Sequence, residues 1–279
     1  MATSSTSKVI SILNMKGGVG KTTLSVNLAY ILATVHKKNV LLVDIDPQFN
    51  ATQYLVDQET IVDHFKNKKT VLDIIMPKKE EEINLVNSKK RKKSSPPKLS
   101  DFIINIVEKK GYRFDIIPST INLIEIENSD RGAENHLKKF LKKYCKHYDI
   151  VIIDCPPTIG IHTLSAFLAS TYYLIPVKPD YLSSLGLSLL ENVLEKYRKA
   201  HSHKLKPLGI VFTLVDLRPG LTFKIMDDLK RAKKDAITAF SSHSTVVAQS
   251  VTNLESFYAS KTRYRKEFKD ITEEISKKL

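Results

Sequence analysis

The sequence predicts an α/β fold in which a doubly wound, mostly parallel sheet carries helices on both faces. Three observations predict it. Six short apolar runs recur along the 279 residues: VISIL (Val9 to Leu13), VLLVD (Val40 to Asp44), FDIIP (Phe114 to Pro118), DIVIID (Asp149 to Asp154), YYLIPV (Tyr172 to Val177) and GIVFTLV (Gly209 to Val215). Their hydrophobicity is continuous rather than alternating, as it is in strands buried on both faces. Helical patterns lie between the runs, which is what parallel strands need to connect.

The first run passes through a glycine-rich turn into a helix over Thr22 to Val35, whose Leu24, Leu28, Ile31 and Leu32 fall at helical spacing toward the sheet. Further helices are expected over Leu182 to Ala200, Leu221 to Phe240 and Tyr264 to Leu279. In the last of these Phe268, Ile271 and Ile275 form a narrow apolar stripe. No internal repeat interrupts this order, and residues 1–279 read as one domain. Lys78 to Lys98, KKEEEINLVNSKKRKKSSPPK, has little to bury and is expected to be an exposed lysine-rich insertion.

At 42% hydrophobic residues the chain can bury a sizeable core, so it is not a disordered protein. Its 44 Lys and Arg against 30 Asp and Glu leave a formal charge of +14, which favours an anionic partner such as nucleic acid or an acidic membrane face. Cys145 and Cys155 are the only cysteines and lack metal-site or disulfide spacing, so a reducing compartment is expected. MATSSTSK at the start has no apolar signal core, and no run is long enough to span a membrane. A cytosolic location is expected.

The chemistry concentrates in NMKGGVGKTT, Asn14 to Thr23. This stretch nearly fits the phosphate-cradling pattern G-x-x-x-x-G-K-[ST], in the strand–turn–helix context that the pattern requires. Gly17, Gly18 and Gly20 can turn successive N–H groups, Val19 among them, toward phosphate oxygens at the positive end of a helix. Lys21 then reaches the β- and γ-phosphates, and Thr22, followed by Thr23, is placed to ligate Mg²⁺. The first glycine of the pattern is replaced by Met15, and a second lysine, Lys16, follows it.

KGGVGKTT resembles the deviant Walker A loop of the ParA/MinD family of P-loop ATPases. The resemblance implies that Lys16 leaves its own nucleotide and reaches the phosphates of a partner subunit's ATP in a face-to-face homodimer. In VLLVDIDPQFNATQYL it implies that Asp46 orients or activates the attacking water and helps at the metal, while Asp44 supports the loop. In DIVIIDCPPTIG it implies a Walker B carboxylate, Asp154, for Mg²⁺. More loosely, Thr213 and Pro179 are expected to border the adenine. Turn-forming aspartates are the other reading of Asp46 and Asp154.

Within that family the charge balance and the D-P-Q stretch most resemble the plasmid and chromosome partition ATPases. The resemblance then implies an ATP-bound dimer that binds DNA without sequence preference, a ParB-like centromere-binding partner that stimulates hydrolysis, and a nucleoid-associated location. Arg218, Lys224 and Arg231 are the expected DNA contacts, with Lys230, Arg263 and Arg265 as further basic positions. The runner-up is a MinD-like membrane-cycling ATPase anchored by a C-terminal amphipathic helix. Acidic residues interleave with the lysines of that helix, so it is expected to pack on the sheet instead, leaving no stable membrane anchor.

Overall fold

The computed structural model describes residues 7–77, 98–218, 220–232, 235–244, 246, 258 and 262–279. The expected insertion at 78–98 therefore lies outside the described residues, Lys98 apart. All described strands join one eight-stranded sheet: β1 (Lys8–Ile12), β2 (Val40–Asp44), β3 (Ile104–Lys109), β4 (Tyr112–Ile117), β5 (Ile150–Asp154), β6 (Tyr172–Val177), β7 (Lys206–Val215) and β8 (Phe240–Ser242), in the order β3-β4-β2-β5-β1-β6-β7-β8. Every pairing is parallel except the β3–β4 hairpin. This is the doubly wound architecture expected from the six apolar runs.

Alternation along the strands divides the core in two, because successive side chains point to opposite faces. Leu41 and Val43 of β2 join one cluster, covered by α4 (Val71–Ile75), α5 (His136–Tyr144), α6 (Ile161–Ala169), α7 (Ser183–His201) and α8 (Leu221–Ala232). Val40 and Leu42 join the other, under α1 (Lys21–Thr34), α2 (Asn50–Leu55), α3 (Gln58–Lys66) and α9 (Arg263–Lys278). The stripe Phe268, Ile271 and Ile275 of α9 is buried in that second cluster, so packing on the sheet accounts for it. The same helix clasps the sheet edge: Glu267 accepts the Ser242 N–H at 2.8 Å, and Glu274 accepts those of Thr238 and Ala239 at 2.7 and 2.8 Å. Among the described residues no helix is long and apolar enough to cross a membrane.

Two details depart from the sequence expectation. The helix expected over Leu221 to Phe240 ends at Ala232; Phe240 instead opens β8, where it pairs with Phe212 and covers the outer edge of β7. The edge strands β3 and β8 were not expected. β3, INIVEK, is half exposed and mixes polar with apolar residues, and β8 is only three residues long, so neither carries the continuous apolar run of a central strand.

Gly209 marks a bulge in β7, where the register with β6 shifts. Its φ is +130°, and a Cβ there would lie 1.8 Å from the Asp235 carbonyl oxygen. Gly209→Ala is therefore expected to cost about 2–3 kcal/mol, from backbone strain plus forced displacement of that carbonyl. Urea denaturation checks this; an unchanged midpoint would show that the bulge relaxes freely.

Candidate nucleotide site

β1 lies between β5 and β6, at the point where the order of the sheet reverses. In open α/β sheets the crevice at such a reversal, outside the carboxyl ends of the strands, is where ligands bind. The stretch Asn14 to Gly20 crosses this crevice. Gly18 and Gly20 hold φ values of +67° and +79°, open to glycine at little cost. Gly20 is the N-cap of α1, and its carbonyl accepts the Leu24 N–H at 2.9 Å, so the loop delivers its amides directly to the positive end of a 14-residue helix.

The loop is braced on both sides. Asn14 donates from its side chain to the Pro176 carbonyl at 2.7 Å and accepts the Lys16 N–H at 2.9 Å. On the far side the Thr213 hydroxyl donates to the Val19 carbonyl at 2.7 Å. Thr213 is buried, and its one donor proton is spent on the loop, which makes it a support of the phosphate cradle. Pro179 is buried just beyond β6.

Register gathers the carboxylates beside this loop. Asp154 pairs with Ile12 on one side and with Asp44 on the other, so both acids end their strands at the same level. Asp44 is fully buried and fully used: one oxygen accepts the Asp46 N–H at 3.1 Å, and the other accepts the Thr52 N–H and hydroxyl at 2.9 and 2.8 Å. It shapes the Asp44–Thr52 turn. Burial, and then the neighbouring Asp154, push its pKa up to about 8.

Asp154 has one oxygen accepting from the Ser25 hydroxyl at 2.8 Å, while Oδ2 is buried without a hydrogen-bond partner. Burial pushes its pKa up to about 6, against the hydroxyls of Ser25 and Thr22, which favour the charged form. A buried carboxylate oxygen left unpaired beside a threonine hydroxyl at the mouth of a phosphate loop fits a Mg²⁺ site. Among the described residues no group of three or more His, Cys, Asp or Glu side chains could hold a metal ion. A cation here would thus draw most of its ligands from phosphate and water, as Mg²⁺ does.

Asp46 is buried behind Pro47. Its Oδ1 accepts the Gln48 N–H at 2.9 Å and its carbonyl accepts the Ser119 hydroxyl at 2.8 Å. Among the described residues its second oxygen accepts no hydrogen bond. The two lysines of the loop diverge. Lys21 is buried and folds back to donate to the Lys16 carbonyl at 3.0 Å. Desolvation lowers its pKa, opposed first by Asp154 and then by Cys155 and Asp46. Lys16 instead turns its ammonium outward into an ion pair with Asp180, whose other oxygen accepts from the Ser183 hydroxyl at 2.9 Å. Both thiols are buried, and burial raises the pKa of each, that of Cys145 to about 12, which makes them inert.

The expected DNA contacts lie apart from this pocket. The Arg218 side chain is 88% exposed and grips Asp216, with Nε 3.0 and 2.9 Å from the two carboxylate oxygens. Lys224 and Arg231 are exposed seven residues apart on α8, hence on one face of it, with Arg231 3.9 Å from Asp228.

A family model described as an AAA domain matches residues 7–207. The sporulation initiation inhibitor protein Soj of Bacillus subtilis is 35% identical over 247 residues, covering 88% of this chain and 85% of Soj. The chain belongs to the ParA family of P-loop ATPases. Another ParA-family relative, the virulence plasmid protein pGP5-D of Chlamydia psittaci, is 31% identical over 278 residues, 98% of this chain and 95% of that protein. The fold also matches a plasmid partition protein of Borrelia burgdorferi bound to AMPPNP, with a TM-score of 0.76 over 98% of this chain and 100% of that one, at 22% identity.

For this ParA-family chain the structure brings together Lys16 to Thr23, Asp44, Asp46 and Asp154, with Thr213 and Pro179 at the margins. Sequence reasoning missed Ser25, Thr52, Ser119 and Asp180, the groups that hold the named residues in place. Ser25 had a signal, since it follows Lys21 by one helical turn.

Proposed function

We propose that the chain is a ParA-type partition ATPase. It binds Mg²⁺-ATP in the β1–α1 loop, pairs with a second copy across that loop, and in the paired state holds duplex DNA without sequence preference. A ParB-like centromere-binding partner stimulates hydrolysis and release, and the cycle runs in the cytoplasm on the nucleoid. The observation that carries this reading is the divergence of the two lysines. One ammonium per loop suffices for a nucleotide's own phosphates, and Lys21 occupies that place; Lys16 faces outward, where it can serve a neighbour.

A second feature of the same edge supports pairing. Tyr181, Leu182 and Leu185, just after Asp180, are 83, 61 and 62% exposed. Large apolar side chains clustered on an open surface are what an interface covers.

Within the site the roles divide by chemistry. The loop amides and Lys21 bind and orient the triphosphate, and Thr22 and Asp154 hold Mg²⁺, which when bound offsets charge on the β- and γ-phosphates. Asp46 uses its unengaged oxygen to orient the attacking water and accept its proton. Arg218, Lys224 and Arg231 supply phosphate contacts to DNA, with Arg218 exchanging the Asp216 carboxylate for a backbone phosphate.

The test compares cargoes. With Mg²⁺-ATP the protein is expected to bind unrelated duplexes with equal affinity, the affinity falling steeply with salt, and not to bind anionic vesicles. Sedimentation with vesicles alongside gel shifts at graded salt reads both; ATP-dependent vesicle binding without duplex binding would replace this reading with a membrane-cycling one.

A further inference from the structure

We propose that the opposite edge of the sheet is a second duplex-DNA contact that needs no nucleotide. The choice of DNA as occupant rests on the function proposed above; the surface itself follows from charge and topology. On α5, Lys138, Lys139, Lys142 and Lys143 are exposed on one face, while Leu137, Phe140 and Leu141 are buried on the other. The helix runs down to the amino end of β5, where Lys146 is also exposed.

Two neighbouring segments add to the same edge. Lys37 and Lys38 precede β2, and Lys109 and Lys110 form the tip of the β3–β4 hairpin; all four are exposed. Contacts draw the three segments together. Asn39 and Asp149 exchange hydrogen bonds of 2.8 and 2.9 Å, the Lys37 ammonium sits 4.1 Å from the centroid of the Tyr112 ring, and Lys109 pairs with Tyr112 in the hairpin.

This charge is not neutralised locally. The acids in these segments are Glu108 and Asp149, and the Asp149 carboxylate is bonded to the Asn39 N–H; Glu273 of the adjoining α9, 3.9 Å from His36, is paired with Lys277 at 3.3 Å. Among the described residues none of these lysines forms an ion pair with a carboxylate. The negative end of α5 favours Lys142 and Lys143. It does not account for Lys37, Lys38, Lys109 or Lys110, which lie on other elements.

The composition of the surface selects its partner. A membrane-lying helix needs an open apolar face, and that of α5 is already buried. Single strands need exposed aromatic platforms; at this edge Tyr112 lies under Lys37, Tyr144 lies under Lys143 with the ammonium 4.8 Å from its centroid, and His147 packs on the buried Tyr148. Lysines spread over several elements, with two of them capping the neighbouring rings, fit the backbone of a duplex, which carries one charge per about 1.7 Å of axis. Strands of about five residues hold this edge roughly 17 Å from the phosphate loop, beyond the reach of a dimer seam built there. Each paired dimer would carry one such edge at either end.

The experiment is fluorescence anisotropy of the full-length protein with a labelled arbitrary-sequence duplex of about two helical turns, with and without Mg²⁺-ATP, at graded salt. Without nucleotide the wild type is expected to bind weakly. K142E/K143E/K146E should weaken that binding about 10- to 100-fold and flatten the salt slope by about 3, while K142R/K143R/K146R restores it. Fluorescent-ATP binding of the Glu variant should match wild type; its thermal midpoint should fall by a few degrees, because two carboxylates now face the negative end of α5, and K142Q/K143Q/K146Q, which places no acid there, should lose duplex binding while unfolding closer to wild type. Nucleotide-free binding that the Glu variant leaves unchanged, or wild-type binding seen only with ATP, would overturn this proposal while leaving the proposed function standing. Nucleotide-free binding with no gain from ATP would do the reverse. A loss that appears on anionic vesicles and not on duplex would overturn it in favour of a membrane contact.

Discussion

Lys16→Ala is expected to bind ATP as the wild type does and to fail to dimerise. The ion pair that the substitution removes is open to solvent, with the Lys16 and Asp180 side chains 37 and 33% exposed, so the folded monomer should lose no more than about 1 kcal/mol. Nucleotide affinity should hold, because Lys21 and the loop amides remain. Lys21→Ala is the opposite case, removing the ammonium that faces the nucleotide. In the paired state two copies of Lys16 would each make a charge-assisted contact to phosphate. Losing both, at about 1.5–3 kcal/mol each, should weaken dimerisation on the order of 10²- to 10⁴-fold. Sedimentation velocity with a slowly hydrolysed ATP analogue measures it, beside a fluorescent-nucleotide titration. Asp180→Asn provides the control: it frees Lys16 from its cis partner, and dimerisation should be no weaker than in the wild type. ATP-dependent dimers of Lys16→Ala at wild-type strength would remove Lys16 from any role in trans.

This expectation shows which parts of the site the sequence exposes. The phosphate loop is legible because its chemistry is local: glycines where φ is positive, a lysine and a hydroxyl at fixed offsets, all within ten residues. The central strands are legible for a related reason, since burial on both faces forces an unbroken apolar run. Asp180, by contrast, lies 164 residues from Lys16, and nothing near YLIPVKPD marks it as a partner; only the β1–β6 pairing brings them together. Thr52 and Ser119 are similarly hidden, because each is an ordinary turn residue until β2 and β4 lie side by side. Thr213 shows the converse. The sequence resemblance sets it beside the adenine, whereas its hydroxyl donates to the Val19 carbonyl of the phosphate loop, a contact that depends on where β7 brings it. The sequence does not mark the end of α8, because its lysine-rich end gives no apolar signal to separate a helix from a polar connection, whereas the return of Phe240 to the sheet is set by the open edge of β7.

Asp46→Ala is expected to leave ATP binding and ATP-dependent pairing intact while lowering turnover on the order of 10³-fold, within the usual range for loss of a positioned general base. The structure separates this residue from its neighbour two positions earlier. Asp44 spends both oxygens on Asp46 and Thr52 backbone and side-chain donors, so Asp44→Ala should strike stability, leaving buried donors unpaired at about 1–3 kcal/mol. Asp46 is held mainly through its backbone, by Asp44 at its N–H and by Ser119 at its carbonyl. Truncating the side chain forfeits only the Gln48 N–H contact, so the turn should persist at a cost of about 1 kcal/mol. Asp46→Asn sharpens the test, since it keeps the shape and that contact but not the basicity; it should be nearly as slow as the alanine variant. Single-turnover phosphate release at saturating ATP gives the chemical step directly. Undiminished release in both variants would place the water-activating group elsewhere, and an equal fall in ATP binding would make Asp46 a loop-shaping residue like Asp44.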